Sequence, residues 1–344
     1  MMDDLTRRKR RFDGFASWNH DTLALHANAQ PPPGSTPSRA KIPSLMDADA
    51  LLNDSFSYAE AFSRNLGWVA DHEQETLRQK TVAIAGMGGV GGVHLLTLAR
   101  LGVGGFHIAD FDRFDLANFN RQAGASVSTL GTPKVEVLER MALDINPELR
   151  VSRFDDGVTR ANVDAFLDGV HVYVDGLDFF AFEARRLVFA ECARRGIPAV
   201  TVAPVGMGAA LLVFMPGKMS FDEYFQWHDR AEDEMALRFL VGLTPAGLHR
   251  GYVMDISRVD LARRRTPSTI MGCQLAAGIA ATETLKILLN RGRVRAAPWA
   301  MQFDAYRNKL THTWRPGGNR NPLQRLMLML ARRQLAQLSM AQPA

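Results

Sequence analysis

The run Gly86-Met87-Gly88-Gly89-Val90-Gly91-Gly92 concentrates main chain that could meet an anion, because it satisfies the spacing Gly-x-Gly-x-x-Gly. Such a turn bends tightly and lets the backbone approach a phosphate. A helix beginning within it adds free N–H groups and the positive end of its dipole. The strand required before it is supplied by Thr81-Val82-Ala83-Ile84-Ala85, a short apolar run bounded by glycine. Asp110 lies at the end of the next strand, about twenty residues on, where an acid can accept ribose hydroxyls. This arrangement indicates a nucleotide without choosing one; the competing reading is a glycine turn that only packs a helix.

Acids, amides and an arginine crowd the stretch from Asp110 to Gln122, with Asp112, Asn118, Arg121 and Gln122 all polar. Lys134 follows in Gly131-Thr132-Pro133-Lys134, where Pro133 suits the first turn of a helix. Singly, Arg121 and Lys134 read as surface residues. Together with Asp110 and the glycines they read as ligands, able to neutralise several phosphate charges. A dinucleotide served by backbone amides needs that less, so the expected ligand is ATP. Asp175 and Asp178, in Val174-Asp175-Gly176-Leu177-Asp178, end a later strand at the same edge. Either can hold Mg²⁺ through one or two oxygens, and Asp178 is the stronger candidate. The alternative role is an N-cap for the helix that follows.

The elements that must position these residues alternate strand and helix. Strands are read at 81–85, 105–110, 151–154 and 172–175, with helices at 93–101, 133–145, 162–167 and 182–195 after them. Two further strands, 198–205 and 209–215, flank a Gly-Met-Gly turn, and 272–289 forms a helix buried against the sheet. The fold class is α/β, a Rossmann-like and mostly parallel sheet with helices on both faces. Residues 1–56, with Pro31-Pro32-Pro33, form an extended segment, and 57–315 the nucleotide-binding domain. Residues 316–344 form a basic amphipathic tail with Leu323, Leu326, Met327 and Leu330 on one packing face. The aromatics Phe221, Tyr224, Phe225 and Trp227 are read as core rather than as a docking surface.

Composition excludes several classes. No apolar run reaches the length of a membrane span, and the Arg-rich N-terminus lacks the apolar stretch of a secretory signal. Two cysteines in 344 residues make neither a disulfide framework nor a four-cysteine zinc site, and they fit a cytoplasmic protein. Net charge is +5, but ten Lys and Arg against the single acid Asp304 lie from Arg291 onward. That basic end is either a solvated face or a surface for nucleic acid or an acidic partner.

Taken together these residues resemble the ThiF/MoeB/HesA adenylyltransferases, bacterial relatives of the ubiquitin-activating enzymes. The resemblance rests on the glycine run, Asp110-Phe111-Asp112, Asn118-Phe119-Asn120-Arg121-Gln122, Lys134 and Leu177-Asp178. Ser63-Arg64-Asn65-Leu66-Gly67 resembles the family's N-terminal motif. The resemblance implies a ubiquitin-activating type of adenylation domain that uses ATP and Mg²⁺ to adenylate a carboxylate, usually the C-terminus of a ubiquitin-like protein or peptide. It implies that Gly86, Gly88, Gly89 and Gly91 hold phosphate and Asp110 the ribose, with Asp112, Asn118 and Gln122 as further nucleotide contacts. Arg121 and Lys134 would meet the polyphosphate, Asp178 the metal, and Arg64 would reach across a homodimer into the partner's site.

Several positions depart from the family pattern. Gly92 stands where Ser or Ala is usual, and Phe179 where Asn is usual. The Cys-x-x-Cys pairs are absent, and no cysteine lies between Val205 and Arg265. A thioester step is therefore not expected, and Cys273 is read as a small core residue. Three other readings remain: a tRNA-directed relative resembling threonylcarbamoyl-adenosine dehydratases, suggested by Asp155-Asp156-Gly157-Val158-Thr159; a non-catalytic dimer partner; and an NAD-dependent oxidoreductase.

Overall fold

The computed structural model describes residues 56–255, 258, 259, 264 and 266–341. The expected extended segment, 1–56, lies outside the described residues except for Phe56. In chain order the helices and strands are α1 (Tyr58–Ala61), α2 (Asp71–Gln79), β1 (Thr81–Ala85), α3 (Gly91–Arg100), β2 (Gly105–Ala109) and α4 (Lys134–Ile145). Then come β3 (Arg150–Phe154), α5 (Val163–Phe166), β4 (Val172–Asp175), α6 (Phe182–Arg195), β5 (Ala199–Val205) and β6 (Gly208–Phe214). The remainder is α7 (Phe221–Phe225), α8 (Glu232–Leu243), α9 (Ile270–Leu288), β7 (Trp299–Asp304), β8 (Lys309–Trp314) and α10 (Pro322–Ala341).

All eight strands form one sheet in the order β3-β2-β1-β4-β5-β6-β7-β8. Four of its seven pairings, from β3 through β5, are parallel and the last three are antiparallel. The chain switches direction of travel between β1 and β4, the place where a doubly wound sheet opens a crevice at its carboxyl ends. Register makes that crevice specific: Ala85 of β1 stands beside Ala109 of β2 and Asp175 of β4. The loops carrying the glycines, Asp110 and Asp178 therefore leave the sheet side by side.

Alternation along the strands feeds two cores. Val82 and Ile84 point into the layer built with α3, α4 and α9, while Ala83 and Ala85 point into the other. The second layer is aromatic, with Phe189, Phe214, Phe221, Phe225, Trp227 and Phe239 packed ring to ring. Phe221, Tyr224, Phe225 and Trp227 are all buried, so they are core residues. The small residues Ala276, Ala277, Ala280 and Ala281 let α9 lie close on the sheet.

Two features differ from the sequence reading. The hairpin β7–β8 extends the sheet where no element was expected. The C-terminal helix also packs through a face that includes only Met327 of the expected stripe, beside Leu328. Leu328 is 2% exposed against Leu237 and Val241, whereas Leu326 is 47% exposed and Leu323 and Leu330 are similarly open. The reason is Gln324, fully buried, whose side-chain amide donates to the Val241 carbonyl at 2.8 Å. With apolar residues on most sides of the helix, that polar bond and the Arg332–Glu234 ion pair select the rotation. Leu328→Ala should therefore cost about 2–4 kcal/mol in urea unfolding, while Leu326→Ala stays within about 0.5 kcal/mol. Equal losses would contradict this packing.

Candidate functional site

Three glycines from two loops interlock at the switch point. Gly86 has φ +87°, and a Cβ on it would stand 2.3 Å from the Gly176 carbonyl oxygen. A Cβ on Gly91 would fall 1.7 Å from the Gly86 oxygen, and one on Gly176 would lie 2.7 Å from the Gly91 Cα. No side chain fits at any of them. Gly92 is confined differently: its Cβ would meet Leu138 Cδ1 of α4 at 2.9 Å, so α3 and α4 pack closely there.

The loop closes on Asp110, whose Oδ2 accepts from the Met87 N–H at 2.5 Å and whose Oδ1 accepts from Asp112 N at 2.8 Å. Past Met87, the amides of Gly88, Gly89, Val90 and Gly91 have no acceptor among the described residues. Gln122 lies beside Gly88, buried, and its Oε1 lacks a donor. A row of free amides at a helix start beside an orphaned carbonyl is a cradle for a phosphate-bearing ligand that also carries donors.

Cations stand around this cradle. Lys134 is the first residue of α4, with Pro133 at the N-cap rather than inside the first turn. Its side chain is 7% exposed, and its ammonium meets Asp112 at 2.9 Å. Arg121 passes within 3.5 Å of the Gly89 Cβ position and donates to the Ala117 carbonyl and Asn120 Oδ1, each at 2.9 Å. Asn118 caps its own turn, accepting from Asp115 N at 3.0 Å. Cys273, in the first turn of α9, is buried under Gly89 with its Sγ 3.3 Å from the Gly89 Cβ position. Burial pushes its thiol pKa up, with the Ser268 hydroxyl and Arg121 pulling the other way.

The two aspartates after β4 separate sharply. Asp175 is engaged in the interior: Arg185 Nε donates to Oδ2 at 2.9 Å, with both side chains 2% exposed, and Thr201 Oγ1 donates to the same oxygen. That ion pair removes Asp175 as a metal candidate, because its charge is already matched. Asp178 is exposed, forms no ion pair among the described residues, and uses Oδ1 only to accept from Phe180 N at 3.0 Å. Arg185 holds this turn as well, donating to the carbonyls of Leu177, Asp178 and Phe179 at 2.8, 2.9 and 3.2 Å. Phe179 joins an aromatic group with Phe180, Phe182 and Phe239. Arg185 and Gly176 are the site residues that sequence reasoning missed; the glycine between the strand end and Asp178 was the available signal for the second.

Arg64 is not brought to the cradle within one chain. Its neighbour Asn65 bonds the Leu101 carbonyl at the C-terminal end of α3, while the glycines lie at its N-terminal end. A ten-residue helix separates the two by about 15 Å. No group of three His, Cys, Asp or Glu side chains suited to a metal occurs among the described residues. Magnesium held by one carboxylate, water and phosphate oxygens fits this donor set.

The chain matches the ThiF family over residues 62–326. It is 37% identical over 150 residues to the tRNA threonylcarbamoyladenosine dehydratase of Bacillus subtilis (strain 168), covering 43% of this chain and only 57% of that relative's length. It is 35% identical over 212 residues to the vegetative HesA protein of Trichormus variabilis (strain ATCC 29413 / PCC 7937), covering 56% of this chain and 79% of that one. The fold is shared with E. coli MccB solved with ATP, at a TM-score of 0.56 and 21% identity over 79% of each chain.

Two outcomes follow from the geometry. Arg185→Met should lower stability by about 3–5 kcal/mol, since it strands the Asp175 carboxylate and three carbonyls; a loss under 1 kcal/mol would mean the pair is dispensable. His94, at the first turn of α3, is fully buried with both ring nitrogens unpartnered, and burial pulls its pKa down to about 4. The unfolded chain takes up that proton first, so the stabilising contribution is complete above about pH 6.5 and is lost as pH falls toward 4. The drop from this group is about 3 kcal/mol, and His94→Leu should flatten that part of the pH–stability curve.

Proposed function

The chain belongs to the ThiF family, and from that premise we propose that it adenylates a carboxylate with ATP and Mg²⁺. The observation that carries the reading is the pairing, at one switch point, of four unpartnered amides with an unpaired aspartate on the neighbouring loop. A dinucleotide would use the amides and leave Asp178 and Lys134 without work. A triphosphate uses both.

In this reading the glycine loop and Lys134 hold the phosphates, and Asp110 orients the ribose. Asp178 would hold the metal, which supplies positive charge to the phosphate oxygens when bound. An acceptor carboxylate oxygen forms a bond to the α-phosphorus while the bond from that phosphorus to the β-phosphate's bridging oxygen breaks. Pyrophosphate departs with the electron pair, and an acyl-adenylate remains. Nothing in this step needs a proton shuttle. The site's contribution is alignment and neutralisation of the leaving charge, with Arg121 and Lys134 as the cations. Lys134 must exchange Asp112 for phosphate to act, and Asp112 then becomes available to ribose or metal.

The acceptor favoured here is the C-terminus of a ubiquitin-like protein or peptide, released as the adenylate without a thioester. Both cysteines are buried, and burial raises both thiol pKa values. A tRNA-directed reaction is the second reading, supported by the dehydratase relative and the basic C-terminal region. Arg64, remote from its own cradle, would complete the site of a second copy in a homodimer.

ATP–pyrophosphate exchange with Gly-Gly-ended acceptors and with tRNA tests the chemistry. Asp178→Ala should lower exchange by on the order of 100-fold or more. Absence of exchange with every acceptor, together with no ATP binding, would overturn the proposal. The dimer is tested by mixing inactive Arg64→Ala and Asp178→Ala chains: random pairing should restore roughly a quarter of wild-type sites. No recovery would place Arg64 outside the site.

A further inference from the structure

A second polar cavity, of about 230 Å³, opens where the end of α9 faces the hairpin β7–β8. It is lined by Glu283 and Lys286 from α9, Arg293 and Arg295 from the following loop, and Trp299 and His312 from the two strands. It is separate from the glycine cradle. Cys273 sits under Gly89 at the start of α9, and Lys286 lies thirteen residues along the same helix, about 20 Å away.

The charges here are not balanced. Lys286 spends its ammonium on Glu283 Oε1 at 2.6 Å and on the Arg293 carbonyl at 3.0 Å. Arg293 and Arg295 are both exposed and have no acidic partner among the described residues. Arg295 instead lies over the Trp299 ring, 5.3 Å from its centroid, so it is placed without being neutralised. Trp314, cross-strand from Trp299 with centroids 6.2 Å apart, is 54% exposed. Glu283, one of the lining residues, has a buried Oε2 with no donor among the described residues.

From these features we infer that this cavity binds a nucleoside monophosphate unit, with phosphate on Arg293 and Arg295, the base reaching past the lining Trp299 to its exposed cross-strand neighbour Trp314, and a ribose hydroxyl or base amino group on Glu283. Two arginines without acids select an anion, and planar guanidinium groups suit phosphate. The orphaned carboxylate oxygen asks for a donor, which a ribose hydroxyl or a base amino group supplies. Exposed tryptophan supplies a stacking surface that tolerates any base. The unit could come from a free nucleotide or from an RNA strand, and the chemistry at the cavity is the same. The inference does not rest on the adenylation reading, since it uses none of the cradle's residues.

Fluorescence anisotropy with the full chain and a labelled single-stranded RNA of about ten nucleotides, competed with UMP, tests it. The RNA should bind at low salt, and Arg293→Ala/Arg295→Ala should weaken it at least tenfold while reducing the log–log salt slope by about one, for the one phosphate the pair holds. Trp314→Ala should weaken binding several-fold and leave the slope unchanged. These side chains are at the surface, and far-ultraviolet circular dichroism with an unchanged thermal midpoint checks that the variants fold. Displacement by UMP at a matching concentration assigns the site to free nucleotides. A requirement for a large excess of UMP assigns it to a strand. If neither RNA nor UMP binds, or the double variant binds both as the wild type does, the inference is wrong. Loss of ATP affinity in that variant would contradict two separate sites.

Discussion

At the end of β4 a guanidinium and a carboxylate meet at 2.9 Å with each side chain 2% exposed, and the candidate site takes its shape from that contact. Such a pair contributes little net stability, because desolvation offsets most of the attraction. Its value lies in geometry. Arg185 turns its donors outward to three successive carbonyls, so the turn from Leu177 to Phe179 is held like a bracket. Its other face stacks on Phe239 at 4.6 Å, tying the bracket to α8 and the aromatic layer. Lysine, with a single ammonium, could not make these bonds in one plane. Asp178 is thereby presented at the crevice with its charge unspent, while Asp175 is consumed in presenting it.

The same economy governs the opposite loop. Gly86, Gly91 and Gly176 approach one another so closely that the strand–turn–helix and the β4 turn behave as one piece. Asp110 fastens Met87 to β2 across the top. Phosphate would therefore meet amides already oriented, which limits the ordering cost of binding. The positive side chains are less committed. Lys134 is paired with Asp112 and Arg121 with neutral groups, so both retain partners to exchange when a polyanion arrives.

Much of this was legible in the chain because local signals agreed with the topology. Short apolar runs bounded by glycine mark β1, β2 and β4, and the loops after them hold the polar residues that register later aligns. What sequence could not show was set by tertiary contact. Arg185 sits beside Arg186 in a helix of weak amphipathicity, and nothing local marks one as buried and the other as half-exposed. β7 buries the polar Gln302 and Asp304 while Trp299, Met301 and Phe303 stay partly open, and β8 is an edge strand whose Leu310 and Trp314 are exposed, so hydrophobicity does not follow burial along this hairpin. In α10 leucines and methionines occur on most faces, and the buried amide of Gln324 decides the orientation that periodicity misassigned. Arg64 is legible only as a motif; its distance from its own cradle follows from where Asn65 anchors.

The central claim is that the edge between β1 and β4 binds a metal-bound triphosphate through Asp178. Calorimetric titration of ATP with and without Mg²⁺, on the wild type and on Asp178→Asn, tests it most directly, with NAD as the competing ligand. The account predicts that Mg²⁺ tightens ATP binding by roughly tenfold or more in the wild type, that Asp178→Asn abolishes this gain, and that NAD binds weakly or not at all. ATP binding indifferent to both Mg²⁺ and Asp178, or NAD binding tighter than ATP, would contradict it.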